Sequence, residues 1–301
     1  MSLGWAGAIG PAVLLAGFLY AALEDWRIRE VSDRLWLLLS VIGAGAGYLV
    51  WAAPTPLGLG VWTLMSAFVI EHLLPWDVAL ERRQSWLPGA VEVAAYAGVG
   101  LAVFVLAWRF GIGSGGVTPA VIAVLLSVYF ARALFELGVL YGGADAKALM
   151  TAGILVPLFA APVVPVPANA VGLLGLTPFP VVVLIDAALF SLAVPIALAV
   201  RNLLDGNFTF PRGFTGYVIP VEELPRRFVW VRDPFLHGEE EAVESTEEDV
   251  ALRRRQADEL RAKGATEVWV TPQIPYVVLL FVGSVAAVLA GNLLFDLLAA
   301  L

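Results

Sequence analysis

Apolar runs of about 20 residues recur along nearly the whole chain, and that feature limits its fold more than any other. A helix needs ~20 residues to cross a bilayer, and only helices and closed barrels satisfy their own backbone inside hydrocarbon. Hydrophobic residues make up 60% of the 301 positions and charged residues only 15%, too few to cover a soluble domain of this size. Read between charge, Pro and Gly punctuation, the runs give eight candidate helices. They lie at roughly 5–23, 35–53, 57–75, 89–108, 117–139, 145–162, 180–200 and 275–299. The Pro- and Gly-rich stretch 163–179 reads as a loop or re-entrant segment, and Pro157 and Pro195 are placed to break helices. The first run, Leu3 to Leu23, has no basic flank and ends on acidic residues, so it is expected to be retained rather than cleaved as a signal.

Basic residues orient these spans. With the N-terminus outside, every Lys and Arg except Arg109 and Arg132 falls in loops at 24–34, 76–88, 140–147 and 201–272, all facing the cytoplasm. Arg132 lies within a helix, four residues before Glu136, where the two can pair on one face. The expected architecture is therefore an all-α polytopic membrane protein of about eight helices with both termini outside. Residues 1–200 form a membrane domain of about seven helices, 201–272 a small α+β cytoplasmic insert, and 273–301 the final span. Within the insert, Phe208 to Val231 and Glu267-Val268-Trp269-Val270 have the alternation of short strands. A helix is expected over about 247–263, from a Ser245/Glu248 capping box to a stop at Gly264. The acidic run around Glu239–Asp249 reads as a solvated face.

Several chemistries are excluded by composition. The chain has no cysteine, so it has neither disulfides nor thiolate metal sites. His72 and His237 are not in any zinc-binding spacing, and there is no phosphate-cradling G-x-x-x-x-G-K-[ST] loop. Gly113-Ser114-Gly115 lacks the partner histidine that a serine peptidase needs. No cofactor, metal or nucleic-acid partner is expected of this acidic chain, whose net charge is −8.

Ionisable groups at membrane depth are costly, and this marks them as functional candidates. Asp25 ends the first span and Asp145 begins the sixth, within Tyr141-Gly142-Gly143-Ala144-Asp145-Ala146-Lys147. They are far apart in sequence, yet the topology delivers both to the same face. Two carboxylates brought together in a low-dielectric pocket cannot both ionise. The charged one can then take a proton from water while the protonated one polarises a peptide carbonyl. Gly142, Gly143 and Ala144 add no bulk, leaving room for backbone or substrate beside the carboxylate. Locally, Asp145 also reads as a plain helix N-cap and Asp25 as an ordinary loop acid. Lys147 could tune Asp145 or extend to the interface.

Four stretches resemble the type IV prepilin peptidases, most closely the archaeal branch that processes preflagellins. They are Asp25 through Trp36, Gly142 through Leu149, Phe214-Thr215-Gly216-Tyr217 through Leu224-Pro225, and Val270-Thr271-Pro272-Gln273-Ile274-Pro275-Tyr276. Ala144 departs from the Gly-x-Gly-Asp pattern of the wider group of membrane aspartic peptidases. The resemblance implies an aspartic endopeptidase in the cell membrane, with Asp25 and Asp145 as the catalytic pair. Its substrates would be prepilin- or preflagellin-like precursors, cut after a glycine to release a short basic leader at the cytoplasmic face. The substrate's apolar segment would lie in the lipid bilayer beside the enzyme. The sequence leaves the oligomeric state open. The competing expectation is an ion- or proton-coupled transporter using Asp186, which lies in the apolar run Val181-Val182-Val183-Leu184-Ile185.

Overall fold

A computed structural model describes residues 5–50, 56–73, isolated helical positions between 94 and 109, 117–140, 142–158, 177–232 and 246–300. Most of the expected span at 89–108, the 163–176 stretch, the acidic run through 245 and the Ser245 capping position lie outside the described residues. The chain forms two compact units, one of residues 1–25, 31–188 and 276–301, the other of 26–30 and 189–275.

Apolar helices dominate the chain. They are α1 (Trp5–Ile28), α2 (Asp33–Val50), α3 (Pro56–Leu73), α4 (Val117–Glu136), α5 (Gly143–Leu155), α6 (Phe179–Ser191) and α7 (Ala193–Leu204). After the small sheet come α9 (Tyr276–Ala290) and α10 (Leu293–Ala300), with α8 (Thr246–Ala262) before them. Among the described residues, five helical stretches are long and apolar enough to cross a membrane: Ala8–Ile28, Asp33–Val50, Pro56–Leu73, Val117–Glu136 and Phe179–Leu204. Large side chains such as Leu38, Leu49 and Leu126 are exposed on these helices. That surface is costly in water and neutral in lipid, as expected of a multi-pass membrane protein.

Among the described residues the helices depart from the expected bounds in several places, and the departures have local causes. α1 runs five residues past its expected end, so Asp25 stands on a helix and not in a loop. The chain then turns away through Arg29 in the left-handed region at φ 60°. α5 stops at Leu155 because Pro157 forces the residue before it out of the helical region, and Val156 has φ −138° and ψ 78°. At 13 residues it is about 20 Å long, too short to span the hydrocarbon alone. The run at 180–200 divides at Leu192, one turn ahead of Pro195, whose ring cannot accept a continuous preceding turn. The final run divides at Gly291, which has φ 91°, followed by Asn292, whose Oδ1 accepts the Phe295 N–H at 3.0 Å and so caps α10.

α5 is the centre of the first unit, packed by α2, α3, α4 and α9. Ala146, Ala148, Leu149, Met150, Thr151, Ala152, Gly153, Ile154 and Leu155 are all buried, so the helix has no lipid-facing side. Its small residues allow this approach. A Cβ at Gly153 would lie 2.7 Å from the Ser127 Cβ of α4, and one at Gly43 of α2 would lie 3.1 Å from the Leu155 nitrogen. The Ser40 hydroxyl donates to Thr151 at 3.2 Å, a polar link between α2 and α5 inside the apolar core.

In the second unit, β1 (Tyr217–Pro220), β2 (Val229–Val231) and β3 (Glu267–Pro272) form an antiparallel sheet in the order β1-β3-β2. Val268 and Val270 alternate inward to meet Tyr217, Ile219, Leu224, Val229 and the Ala257/Leu260 face of α8. The expected stop at Gly264 is present, with φ 80°. Its N–H reaches the Arg261 carbonyl while the Ala265 N–H reaches Leu260. Asn202 of α7 is buried and ties this unit together, its Nδ2 donating to the Gly213 carbonyl at 2.9 Å and to Gly216 at 2.7 Å.

Candidate active site

Asp25 and Asp145 come from helices that the sequence separates widely, yet both are held in the first unit, each 8% exposed. The two carboxylates lie within electrostatic reach of one another. They are brought together because α1 carries Asp25 in its last turns while α5 carries Asp145 in its first.

Asp145 is not the N-cap of α5, as the plain local reading has it. Gly142 holds that position in extended conformation and Asp145 stands three residues on. From there its carboxylate folds back to accept the Gly142 backbone N–H, one half of a capping box. This places the carboxylate directly over Gly142. A Cβ there would lie 2.8 Å from Asp145 Oδ2 and 3.3 Å from Cγ. Gly143 meets nothing within 4 Å, so its lack of a side chain serves no close approach. Ala144 packs against the main core. Of the small run, Gly142 is the position whose missing side chain shapes the site.

Asp25 is held from a third direction. Its Oδ2 accepts the Val277 backbone N–H at 3.1 Å. Val277 lies in the first turn of α9, where backbone N–H groups have no partner within the helix and the helix dipole is positive. Pro275 stands immediately before that helix, where its missing N–H costs no intrahelical bond. Tyr276, the first residue of α9, packs against the main core, and its phenol is in electrostatic contact with Asp145. One helix start therefore addresses both acids. The stretch through Tyr276 carried part of the family resemblance, but sequence gave it no role. An apolar run opening after a proline was the available sign of a free N–H cluster.

Lys147 is engaged elsewhere, its Nζ donating to Asp33 Oδ1 at 2.7 Å. This pair joins α5 to the first turn of α2 and spends the Lys147 charge there. Asp186 stands apart from the pair. It is fully buried on α6, and its Oδ1 accepts the Leu293 N–H at 2.9 Å. Arg132 and Glu136 form the expected exposed pair at 3.3 Å.

No protein-family model matches the chain. It is 27% identical over 184 residues to a preflagellin peptidase of Methanocaldococcus jannaschii, covering 58% of this chain and 73% of that protein. A second preflagellin peptidase, from Methanococcus maripaludis, is 22% identical over 294 residues, covering 94% of this chain and 95% of its own length. The resemblance carried by the four motif stretches is thus matched over nearly the whole chain, which is similar to the preflagellin peptidases of archaeal methanogens.

Proposed function

We propose that this chain is an aspartic endopeptidase of the cell membrane that removes the short basic leader from preflagellin- or prepilin-like precursors at the cytoplasmic face. The observation that carries the reading is the juxtaposition of Asp25 and Asp145, both buried, within electrostatic reach of one another and each held by a backbone donor, Gly142 N–H for Asp145 and Val277 N–H for Asp25. The similarity to preflagellin peptidases supports the substrate class. The concentration of basic residues in the 24–34 and 201–272 segments supports the cytoplasmic placement.

The pair shares one proton. The ionised member takes a proton from the attacking water, and the protonated member donates to the scissile carbonyl oxygen as it becomes tetrahedral. The C–N bond then breaks as the newly protonated aspartic acid donates to the leaving nitrogen, while the other carboxylate takes a proton from a gem-diol hydroxyl. The product carboxylic acid and amine leave, and the pair again holds one proton. One backbone donor on each carboxylate helps to fix its orientation. Since a dyad titrates as a unit, base and acid belong to the pair.

Cleavage of a preflagellin in membranes tests this. Asp25→Asn and Asp145→Asn, expressed at the wild-type level, should each lose cleavage, while Asp186→Asn retains it. Wild-type cleavage by either of the first two would remove the dyad. The transporter reading needs Asp186 to be reached in turn from each side of the bilayer; it is fully buried, with its Oδ1 bonded to the start of α10.

A further inference from the structure

A second pair of acids sits at the far end of α9, unused by the proposed chemistry. Asp186 accepts the Leu293 N–H through Oδ1, and its Oδ2 is shielded from solvent without a hydrogen-bond donor. Leu293 and Asp296 are three residues apart on α10 and share a face. Helical side chains lean toward the N-terminus, so Asp296 reaches back over the turn that Asp186 caps. Asp296 Oδ1 is likewise shielded and without a donor, and the two carboxylates interact electrostatically. Asn292 is fully buried beside them. Its Oδ1 accepts the Phe295 N–H, which makes Nδ2 the donor side, and Nδ2 has no acceptor.

None of α6, α9 and α10 carries a Lys, Arg or His. Where α9 meets α6 it presents Gly283, and the buried Ser284 next to it donates its hydroxyl to the Leu280 carbonyl at 2.7 Å. Asp296 is thus the titratable group facing Asp186 from these helices. Two shielded carboxylate oxygens that repel one another, with no basic side chain on α6, α9 or α10, are stabilised by a proton or cation.

We propose that Asp186, Asn292 and Asp296 form a site for a monovalent cation, either a proton or an alkali ion, at the corner between α9 and α10. A proton is shared by Asp186 Oδ2 and Asp296 Oδ1. An alkali ion takes the same two oxygens together with backbone carbonyls freed where α9 stops at Ala290. Asn292 Nδ2 then hydrogen-bonds a carboxylate held in place by the cation. Asp296 is only partly buried and gives the site its opening to the surface. The bound cation locks α10 to α6 and so fixes the end of α9 opposite Val277.

Thermal unfolding in lipid nanodiscs, followed by Trp fluorescence, tests the site without reference to cleavage. Wild type, Asp25→Asn, Asp186→Asn and Asp296→Asn are compared in NaCl, KCl and choline chloride at equal ionic strength, from pH 5 to 9. For an alkali ion, NaCl or KCl raises Tm over choline by a few degrees in wild type and Asp25→Asn, and by nothing in the other two variants. For a proton, the salts are equivalent and Tm falls as pH rises in wild type and Asp25→Asn. That slope is flattened in Asp186→Asn or Asp296→Asn, because the neutral amide no longer depends on a proton. Asp25→Asn separates this behaviour from titration of the first pair, and the partly exposed Asp296→Asn decides the matter if Asp186→Asn does not fold. A wild-type Tm with no salt preference and no pH slope sensitive to these variants overturns the proposal.

Discussion

Gly142→Ala is the most informative single substitution, because its effects on folding and on chemistry should separate. The backbone at Gly142 has φ −93° and ψ 128°, a region alanine occupies freely, so the change costs no conformational strain. The new Cβ would lie 2.8 Å from Asp145 Oδ2, whereas ordinary contact begins at 3.4 Å. The carboxylate must therefore retreat by roughly 0.6 Å, which it can do by rotating, since it is the free end of a side chain. Stability should change by less than about 1 kcal/mol. Chemistry is less forgiving, because a misplacement of ~1 Å in a reacting group can cost on the order of 100-fold. On a logarithmic scale the smaller shift gives a loss of about 10-fold in kcat, or about 1.4 kcal/mol of barrier. Gly143→Ala is the matched control, because its Cβ enters open space. The assay is single-turnover cleavage of a preflagellin by enzyme in nanodiscs, with Tm measured on the same samples. Wild-type rate in Gly142→Ala, or equal damage in Gly143→Ala, would refute the placement of the Asp145 carboxylate over Gly142.

Three further outcomes follow from the packing. Gly283→Val should destabilise by about 2 kcal/mol or more, because a Cβ there would meet backbone, 2.5 Å from the Val183 carbonyl oxygen and 2.7 Å from the Ala187 nitrogen. A Tm within a degree of wild type would contradict that contact. Asn202→Leu removes both donors to the Gly213 and Gly216 carbonyls and should cost about 2 kcal/mol. Protease digestion should then cut the 205–216 segment faster in the variant, and an unchanged digestion pattern counts against the tie. Lys147→Met should lower stability by no more than about 1 kcal/mol, since its partner Asp33 is 43% exposed and the pair is screened. A loss of 3 kcal/mol or more would mean that Lys147 supports the buried acids directly.

Sequence alone set the membrane character of this chain, the residues able to stop or break its helices, and the pair of acids to examine. Each of these depends on residues close in sequence: runs of apolar side chains, Pro157 and Pro195 as breakers, Gly264 as a stop, and an acid at the edge of an apolar run. Five of the eight expected spans are long, apolar helices among the described residues, and two of the other runs are interrupted for a local reason. Gly291-Asn292 and Pro157 are turn signals within runs that hydropathy alone reads as continuous. Other features depend on partners more than a hundred residues away, and no local pattern encodes them. Tertiary packing decided that Asp25 receives the Val277 N–H, that Lys147 is committed to Asp33, and that α5 is enclosed on every side. It also decided that Asp186 meets Leu293. A buried carboxylate takes whichever donor packing brings within about 3 Å, so the sequence could name the acids, and only the fold could supply what holds them.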